Sequence, residues 1–355
     1  MTSITELFGT ALPVIQAPMA GVQGSALAVA VSNAGGLGSL PCAMLSLDDL
    51  RAELAALAAG TSQPFNVNFF CHTPPVPDAT REAAWRSVLQ PYYDELGIDI
   101  SRVPAGSGRM AFSHETADLL SAIRPPVVSF HFGLPSPDLL QRVRSWGGKI
   151  LSSATTLDEA RWLETHGVDA IIAQGLEAGG HRGLFLSDDL TTQVGTLALV
   201  PQIIKAVRVP VIAAGGIADA AGVAAAMALG AAGVQVGTAY LLCVEATTSP
   251  VHRAALASDA ARHTALTNVI TGRPARAIVN RIIREIGPMS AVAPQFPLAN
   301  AAIAPLRAAT EARGSGDFSP LWAGQNASGC RNVSAADLTR ELMERAAGQA
   351  VRRAR

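Results

Sequence analysis

The chain has 355 residues, of which 49% are hydrophobic and 15% charged, so it can bury a large core and is not a disordered protein. Its 27 basic and 28 acidic residues give a formal net charge of −1, which argues against a nucleic-acid partner. Its four cysteines lack the paired spacing of zinc or redox sites. The N-terminus carries Glu6 and no basic segment before an apolar one, and glycines interrupt the apolar windows. We therefore expect a cytoplasmic protein without a signal peptide or membrane span.

Short apolar segments rich in β-branched residues alternate with helical patterns over the first 240 residues. The pattern predicts eight strands, at 13–20, 36–41, 65–70, 127–133, 149–155, 170–175, 210–216 and 233–240. It predicts helices at 25–34, 47–59, 137–146, 157–166, 196–207 and 219–229. Thr156 with Glu159 fits a capping box, and Asp219 fits an N-cap. Strands that alternate with helices in this way are typical of a parallel sheet with right-handed crossovers.

Eight such strands predict an α/β fold, a closed (β/α)₈ TIM barrel with a smaller, mainly helical second domain. Several strands end in polar residues or glycine, and closure would bring these ends together on one face, where barrel enzymes hold their active sites. After residue 240 we find no further strand pattern. We expect the barrel at 1–243 with an insertion at about 72–122, a helical substrate or lid domain at 244–320, and at 321–355 a loop and C-terminal helix that return to the barrel.

Paired small residues follow the last two predicted barrel strands. Gly215 and Gly216 end one strand, and Gly237 and Thr238 end the next. Barrels often bind phosphate at these two loops, because backbone N–H groups can approach an anion where no side chain intervenes. Each glycine pair alone could make only a tight turn, but two pairs at these strands favour a phosphate site. The chain has no Walker lysine and no GxGxxG after its first strand, which disfavours a P-loop or Rossmann site.

Amide side chains at strand ends indicate what the part of the ligand beyond its phosphate looks like. Asn66 and Asn68 lie two residues apart and so point the same way, and Gln174 and Gln235 end two other strands. Amides can pair with both carbonyl and N–H groups of a ring, and Met19 beside small residues can pack on a flat ring. Each amide alone could be a satisfied core residue. Together they predict a site for a large heteroaromatic with one phosphate, which FMN fits.

The segment AQGLEAGGHRG follows the sixth predicted strand. Gly179 and Gly180 remove side chains where the backbone would pass over a planar ring. His181 then projects into the barrel mouth, where it can donate a hydrogen bond or take a proton near neutral pH. We therefore predict His181 as the catalytic residue.

Other polar residues near the predicted mouth are weaker candidates. His131 also lies at a strand end and is the second candidate histidine, whereas His72 lies in a proline-rich segment. Glu177 and Arg182 could pair with each other or place charge around the mouth, and the sequence leaves both alternatives open.

Several segments together resemble the nitronate monooxygenases, formerly called 2-nitropropane dioxygenases. They are PVIQAPMAG, AGGLGSL, FNVNFF, AQGLEAGGHRG, VPVIAAGGIADAAGVAAAMALGAAGVQVGTAYLL, TGRPARAIVN and LWAGQ. GGHRG and LWAGQ look like the class I branch. The resemblance runs from about residue 10 to the final helix and implies an FMN-dependent TIM barrel that uses dioxygen and needs no metal. It places the active-site histidine at His181 and flavin contacts at Met19, Asn68, Gln174, Gly179, Gly216, Gln235, Val236, Gly237 and Thr238.

The resemblance also implies a reaction. A propionate-3-nitronate or an alkyl nitronate gives an electron to the flavin, oxygen reacts, and an aldehyde or oxo acid forms with nitrite. His181 would orient the nitronate oxygens, and Arg182 or a loop dipole would attract the negative charge. For a neutral nitroalkane, His181 would have to take the α-proton.

One segment departs from the class I pattern. Where those members carry tyrosines and a lysine, FPLANAAIAPLRAAT has Phe296, Asn300 and Ala304, and Arg307 is its only cation. The substrate wall is therefore altered, which leaves the preference for propionate-3-nitronate open. We take Phe296 and Asn300, with His131 and Tyr240, as candidate substrate contacts.

Other functions remain to be separated from this one. An FMN-dependent NAD(P)H reductase of quinones or enoyl thioesters would use the same barrel, and a barrel without activity could serve as a binding protein. A metal hydrolase is disfavoured because acidic residues are nearly absent from the strand ends, so we predict no metal. We expect small-molecule partners, a nitronate or nitroalkane and O2, and a monomer or homodimer.

Overall fold

The computed structural model describes residues 3–103 and 110–353. The strands are β1 (Val14–Gln16), β2 (Gly38–Pro41), β3 (Phe65–Phe70), β4 (Val127–His131), β5 (Lys149–Ala154), β6 (Ala170–Gln174), β7 (Gly180–His181), β8 (Val211–Ala214), β9 (Gly233–Val236), β10 (Thr264–Thr267) and β11 (Ala275–Ile278). The helices are α1 (Ile4–Phe8), α2 (Ser25–Asn33), α3 (Leu47–Gly60), α4 (Ala79–Leu96), α5 (His114–Ile123), α6 (Pro137–Ser145), α7 (Leu157–Thr165), α8 (Thr196–Ala206), α9 (Ala220–Ala228), α10 (Pro250–Leu256), α11 (Arg281–Ile286), α12 (Asn300–Glu311) and α13 (Ala335–Arg353).

Eight parallel strands form a barrel in the order β1-β9-β8-β6-β5-β4-β3-β2. The two ends of this order meet through a parallel bridge between Ile15 and Leu37. There the Gln16 N–H donates to the Leu37 carbonyl at 3.0 Å, and the Leu37 N–H donates to the Val14 carbonyl at 2.9 Å. The predicted α/β barrel is confirmed.

Alternation along the strands divides the apolar residues into two layers. On β8, Ile212 packs in an inner cluster with Ile15, Leu37 and Ile172, whereas Val211 packs in the outer cluster beneath the helices. Helix α1 contributes buried residues to the inner cluster and lies against the amino end of β9. Helix α1 therefore covers the amino ends of the barrel strands, and the carboxyl ends remain available for a functional site.

The prediction that no strand follows residue 240 was wrong. β10 and β11 pair antiparallel, and β11 also pairs with β7, where Ala275 lies opposite His181. Each of these strands has four residues or fewer, too short for an alternating pattern to appear in the sequence. The small sheet ties the residues after the sixth barrel strand to the second domain.

The second domain has its own core, and α4 belongs to it. Trp85 and Tyr93 of α4 pack with Ile303 and Phe318, and the Tyr93 hydroxyl donates to the Ala302 carbonyl at 2.6 Å. Helix α5 instead packs against α3 and α6 in the barrel ring. The predicted insertion at 72–122 is therefore divided between the two domains. Its residues 104–109, like the chain ends at 1–2 and 354–355, lie outside the described residues.

Helix caps fix the starts of the helices around the site. The Thr156 hydroxyl accepts from the Glu159 N–H, and the Asp219 carboxylate accepts from the Gly222 N–H, as predicted. The second half of the predicted capping box was wrong, because the Glu159 carboxylate accepts from Thr155 instead. Among the residues described, no helix is both long and apolar enough to cross a membrane.

Candidate active site

A cavity of about 190 Å³ lies at the carboxyl ends of the barrel strands. It is much larger than the roughly 30 Å³ that one water occupies, so it has room for an organic group. Most residues predicted for the cofactor, and the predicted catalytic histidine, line this one cavity: Met19, Asn68, Gln174, Gly179, Gly180, His181, Gly215, Gly216, Gln235, Gly237 and Thr238. Val236 is buried beside it and uses its carbonyl to accept from the Ala17 N–H.

The two glycine loops lie side by side at one end of the cavity. Asn326 Nδ2 donates to the Gly216 carbonyl at 3.1 Å, and the Gly324 N–H donates to Thr238 Oγ1 at 2.9 Å. One short segment therefore holds both loops. Gly216 has a φ of 74°, in the region that favours glycine. The Thr238 hydroxyl accepts from Gly324 and keeps its own hydrogen to donate to a ligand.

The amide nitrogens of Asn66 and Asn68 are used by the protein, whereas Asn66 Oδ1 and Gln235 Oε1 are buried without a hydrogen-bond partner among the residues described. Asn68 Nδ2 donates to Ser129 Oγ at 2.9 Å, and Asn66 Nδ2 donates to the same oxygen at 2.9 Å. Gln235 lines the cavity, and its buried Oε1 has no hydrogen-bond partner among the residues described. A Cβ at Gly180 would meet no atom within 4 Å and would extend into open space. An unpaired acceptor beside a cradle without side chains fits a planar ligand that carries N–H or O–H groups.

Several hydrogen bonds fix His181 at the cavity wall. Its Nε2 lies 2.9 Å from Thr271 Oγ1, and its carbonyl accepts from Gln174 Nε2 at 3.0 Å. Its ring packs against Phe296 and Trp322, with centroids 5.2 and 5.3 Å away. The imidazole is thus held between the barrel and the second domain.

His131 holds the backbone of His181 through a hydrogen bond. Its Nδ1 lies 3.1 Å from Ser153 Oγ and its Nε2 3.2 Å from the His181 carbonyl. Burial lowers the pKa of His131 to about 4, and the cations of Arg273 and Arg182 act in the same direction. The ring is therefore neutral at pH 7, with Nε2–H donating to His181 and Nδ1 accepting from Ser153.

Glu177 and Arg182 have other partners than each other, and the charge of Arg182 does not face the mouth. Arg182 is fully buried and donates to the carbonyls of Gly175 and Gln174 at 2.6 and 2.7 Å. The Glu177 carboxylate accepts from the N–H and hydroxyl of Thr196, both at 2.8 Å. Of the two predicted sources of attraction for the anion, Arg182 was therefore wrong, because its guanidinium faces inward, and the loop dipole stays a prediction. Burial lowers the pKa of Arg182 to about 10.

Three of the four candidate substrate contacts do not line the cavity, and the fourth, His131, does. Tyr240 is fully buried, with its hydroxyl 2.9 Å from Thr339 Oγ1, because the C-terminal helix covers this side of the barrel. Asn300 is the first residue of α12 and lies away from the cavity lining. Phe296 is also absent from the lining, although it packs against His181 in a cluster with Phe70 and Phe132. Of this aromatic cluster, Phe70 is the member that lines the cavity.

Trp322 and His252 are among the lining residues that were not predicted from the sequence. Trp322 lies in the LWAGQ segment, and His252 lies on α10. The sequence could have indicated Trp322, because the LWAGQ segment contributed to the family resemblance. It gave no indication of His252, since α10 is neither a barrel strand nor a loop at the end of one.

No group of three or more metal-ligating side chains was found within the parts of the chain that the structure describes. No Lys or Arg is among the described residues that line the cavity. An anion bound there would therefore depend on backbone N–H groups and neutral side chains.

Comparisons with known proteins show the family of this chain. A family model described as nitronate monooxygenase matches residues 1–345. A protein named nitronate monooxygenase from Paraburkholderia phytofirmans is 43% identical over 345 residues, which cover 96% of this chain and 93% of that protein. Another of that name from Pseudomonas aeruginosa is 42% identical over 347 residues, covering 97% and 99%. The crystal structure of a nitroalkane oxidase from Streptomyces ansochromogenes superposes with a TM-score of 0.89 at 36% identity, covering 98% of this chain and 100% of that one.

Proposed function

The chain belongs to the nitronate monooxygenase family, and from this premise we propose that it is an FMN-dependent oxidoreductase that uses dioxygen on nitronates. The family match confirms the predicted resemblance and an enzyme of this type. The products would be an aldehyde or an oxo acid together with nitrite.

The observation that best supports FMN is that one cavity contains both a set of backbone groups suited to a phosphate and a set of side chains suited to a planar ring. Backbone at Gly216, Gly237 and Thr238 would hold the phosphate at one end. The unpaired Gln235 Oε1 would accept from the ring or its ribityl chain, and Met19 would pack on the ring. FMN would supply the electron acceptor.

His181 is the residue placed to act on the substrate. A nitronate is already an anion, so a hydrogen-bond donor that orients its oxygens is sufficient, and a strong base is unnecessary. For a neutral nitroalkane, the same imidazole would take the α-proton. Its fixed position, with Thr271 on Nε2 and two donors on its carbonyl, limits the motion of the ring.

The lack of a cation in the described cavity lining favours alkyl nitronates over propionate-3-nitronate. No Lys or Arg is among the described lining residues, and Phe70, which packs against His181, offers no donor to a carboxylate. The nearby guanidinium of Arg273 lies 4.0 Å from the Phe132 ring centroid and donates to the Leu184 carbonyl. Arg307 is paired with Glu311 at 2.8 Å.

Anaerobic spectroscopy of the purified protein tests this function. We expect a bound flavin spectrum that bleaches with an alkyl nitronate, recovers with air and releases nitrite, with a lower kcat/KM for propionate-3-nitronate. Rapid bleaching by NADH would instead identify a reductase of quinones or enoyl thioesters. A colourless protein that cannot be reconstituted with FMN would overturn the flavoenzyme proposal.

Substitution of the histidine tests its role. His181→Ala should keep the flavin spectrum and lose at least 10²-fold in kcat for a nitroalkane, since it removes the only proton acceptor proposed. The exposed His263→Ala is the matched control and should turn over normally. Unchanged turnover in His181→Ala would remove this residue from the mechanism.

A further inference from the structure

A second histidine approaches the cavity from outside the barrel. His252 lies on α10 and lines the cavity together with Trp322, yet only 3% of it is exposed to solvent. Its Nε2 has no hydrogen-bond partner among the described residues. A buried polar atom without a partner is costly, so this nitrogen is expected to meet a ligand group.

The other ring nitrogen determines what Nε2 can do. The Trp322 backbone interacts with the imidazole and raises its pKa, and because Nε2 is unpartnered, we assign this interaction to Nδ1. Burial lowers the pKa of His252 to about 4, with Arg307 acting in the same direction and the Trp322 bond and Glu311 opposing it. The ring is therefore neutral at pH 7. With the proton on Nδ1, Nε2 is a hydrogen-bond acceptor.

The chemistry of the proposed reactants indicates which molecule can donate a hydrogen bond to His252 Nε2. A nitronate anion and dioxygen carry no hydrogen-bond donor, and a nitroalkane carries only C–H groups. FMN carries a ring N–H and the hydroxyls of its ribityl chain. We propose that His252 is a cofactor-binding residue whose Nε2 accepts a hydrogen bond from an N–H or O–H group of FMN. This inference rests on the proposed function.

Two substitutions separate the two ring nitrogens. His252→Asn places an amide nitrogen near Nδ1, so it can still donate to the Trp322 carbonyl, but it has no acceptor at the Nε2 position. His252→Gln extends an amide oxygen to the Nε2 position. Loss of one neutral hydrogen bond should raise the dissociation constant for FMN about 2- to 12-fold in His252→Asn. His252→Gln should stay within about 2-fold of the wild type.

The measurement is a titration of deflavinated protein with FMN, followed by quenching of flavin fluorescence. His263→Asn, at an exposed histidine, is the control. Repeating the titration with 3-methyl-FMN distinguishes the two donors. If the ring N–H is the donor, methylation weakens wild-type binding and abolishes the difference between wild type and His252→Asn. If a ribityl hydroxyl is the donor, the difference persists. Both results support the inference.

Two results would overturn the inference about His252, and only one of them would also refute the proposed function. Equal FMN affinity in the wild type and His252→Asn would show that Nε2 does not contact the cofactor, even if kcat/KM for a nitroalkane fell. A wild-type protein that binds no FMN would refute the proposed function as well. Thermal unfolding of each variant shows whether a weaker affinity reflects a general loss of structure.

Discussion

Arg182 supports the site without facing it. Its guanidinium donates to the Gln174 and Gly175 carbonyls and, at 3.0 Å, to Gln193 Oε1. Arg182→Met would remove the guanidinium from all three acceptors, of which the Gly175 carbonyl keeps the Ala178 N–H, so we expect the free energy of unfolding to fall by about 2–5 kcal/mol in urea denaturation. Arg161→Met, at an exposed ion pair with Asp158, should change it by less than about 1 kcal/mol. Equal losses in both variants would contradict this role.

His131 should make stability depend on mildly acidic pH. Its folded-state pKa of about 4 lies below the ordinary 6.5, so the unfolded chain takes up the proton first as the pH falls. Its contribution is therefore present above pH 6.5 and is lost as the pH falls towards 4. His131→Gln keeps a donor for the His181 carbonyl but does not titrate, so its unfolding free energy should fall less over this window. In His263→Gln, the unfolding free energy should change with pH as it does in the wild type. If it does so in His131→Gln as well, His131 does not cause the pH dependence.

Residue positions were predictable only where the strand direction fixes them. Gln174 ends β6, and Gly216 and Met19 lie shortly after β8 and β1, so closure of the barrel brings all three together. Arg182 and Tyr240 are also near strand ends, yet both point inward because their polar groups find buried partners. The Thr339 partner of Tyr240 is 99 residues away in the chain, so the sequence gives no local sign of it. The partners of Arg182 are only 7 to 11 residues away, but the sequence does not show the path of the turn that brings them to the guanidinium.

At the level of elements, the approach of β7 to the 323–324 segment depends on Gly179. A Cβ at this position would lie 2.5 Å from the Gly324 nitrogen and 2.6 Å from the Ala323 carbonyl carbon. Gly179→Ala must therefore separate two backbones, one of which supplies the donor to Thr238. We expect a loss of about 1–3 kcal/mol in unfolding free energy and weaker FMN binding.

A glycine within a helix provides the control for this substitution. A Cβ at Gly222 in α9 would have its nearest contacts at an ordinary 3.5 Å. Gly222→Ala should therefore raise the unfolding free energy by about 0.5–1 kcal/mol. If Gly179→Ala also leaves stability and flavin affinity unchanged or improved, the close approach is not required.

The barrel strands were predictable because each is a nearly continuous apolar run covered on both faces. β10 and β11 were not, since Thr264–Thr267 is only partly buried over most of its length and Ala275–Ile278 follows a turn with Gly272 and Pro274. β7 has two residues and pairs with a strand more than 90 positions later in the chain. Pairing at that separation leaves no local periodicity to detect.

On the scale of the whole molecule, the cavity combines a barrel face with residues of the second domain. The barrel supplies both glycine loops, whereas His252 and Trp322 come from beyond residue 243. The second core reaches back to α4, the helix inserted after β3. The domain that covers the cavity is thus assembled from two distant parts of the chain.

The C-terminal helix completes the outer ring of the barrel. α13 packs against α2 and α9, and it buries Leu338 with 2% exposure. Leu338→Ala removes apolar contacts and leaves a void between these helices, so we expect a loss of about 2–5 kcal/mol in unfolding free energy. Leu197→Ala on α8, where the side chain is 71% exposed, should cost less than about 0.5 kcal/mol. Because α13 lies outside the cavity, the folded Leu338→Ala protein should bind FMN with wild-type affinity. A loss no greater than that of Leu197→Ala in urea denaturation would show that the barrel is stable without this helix.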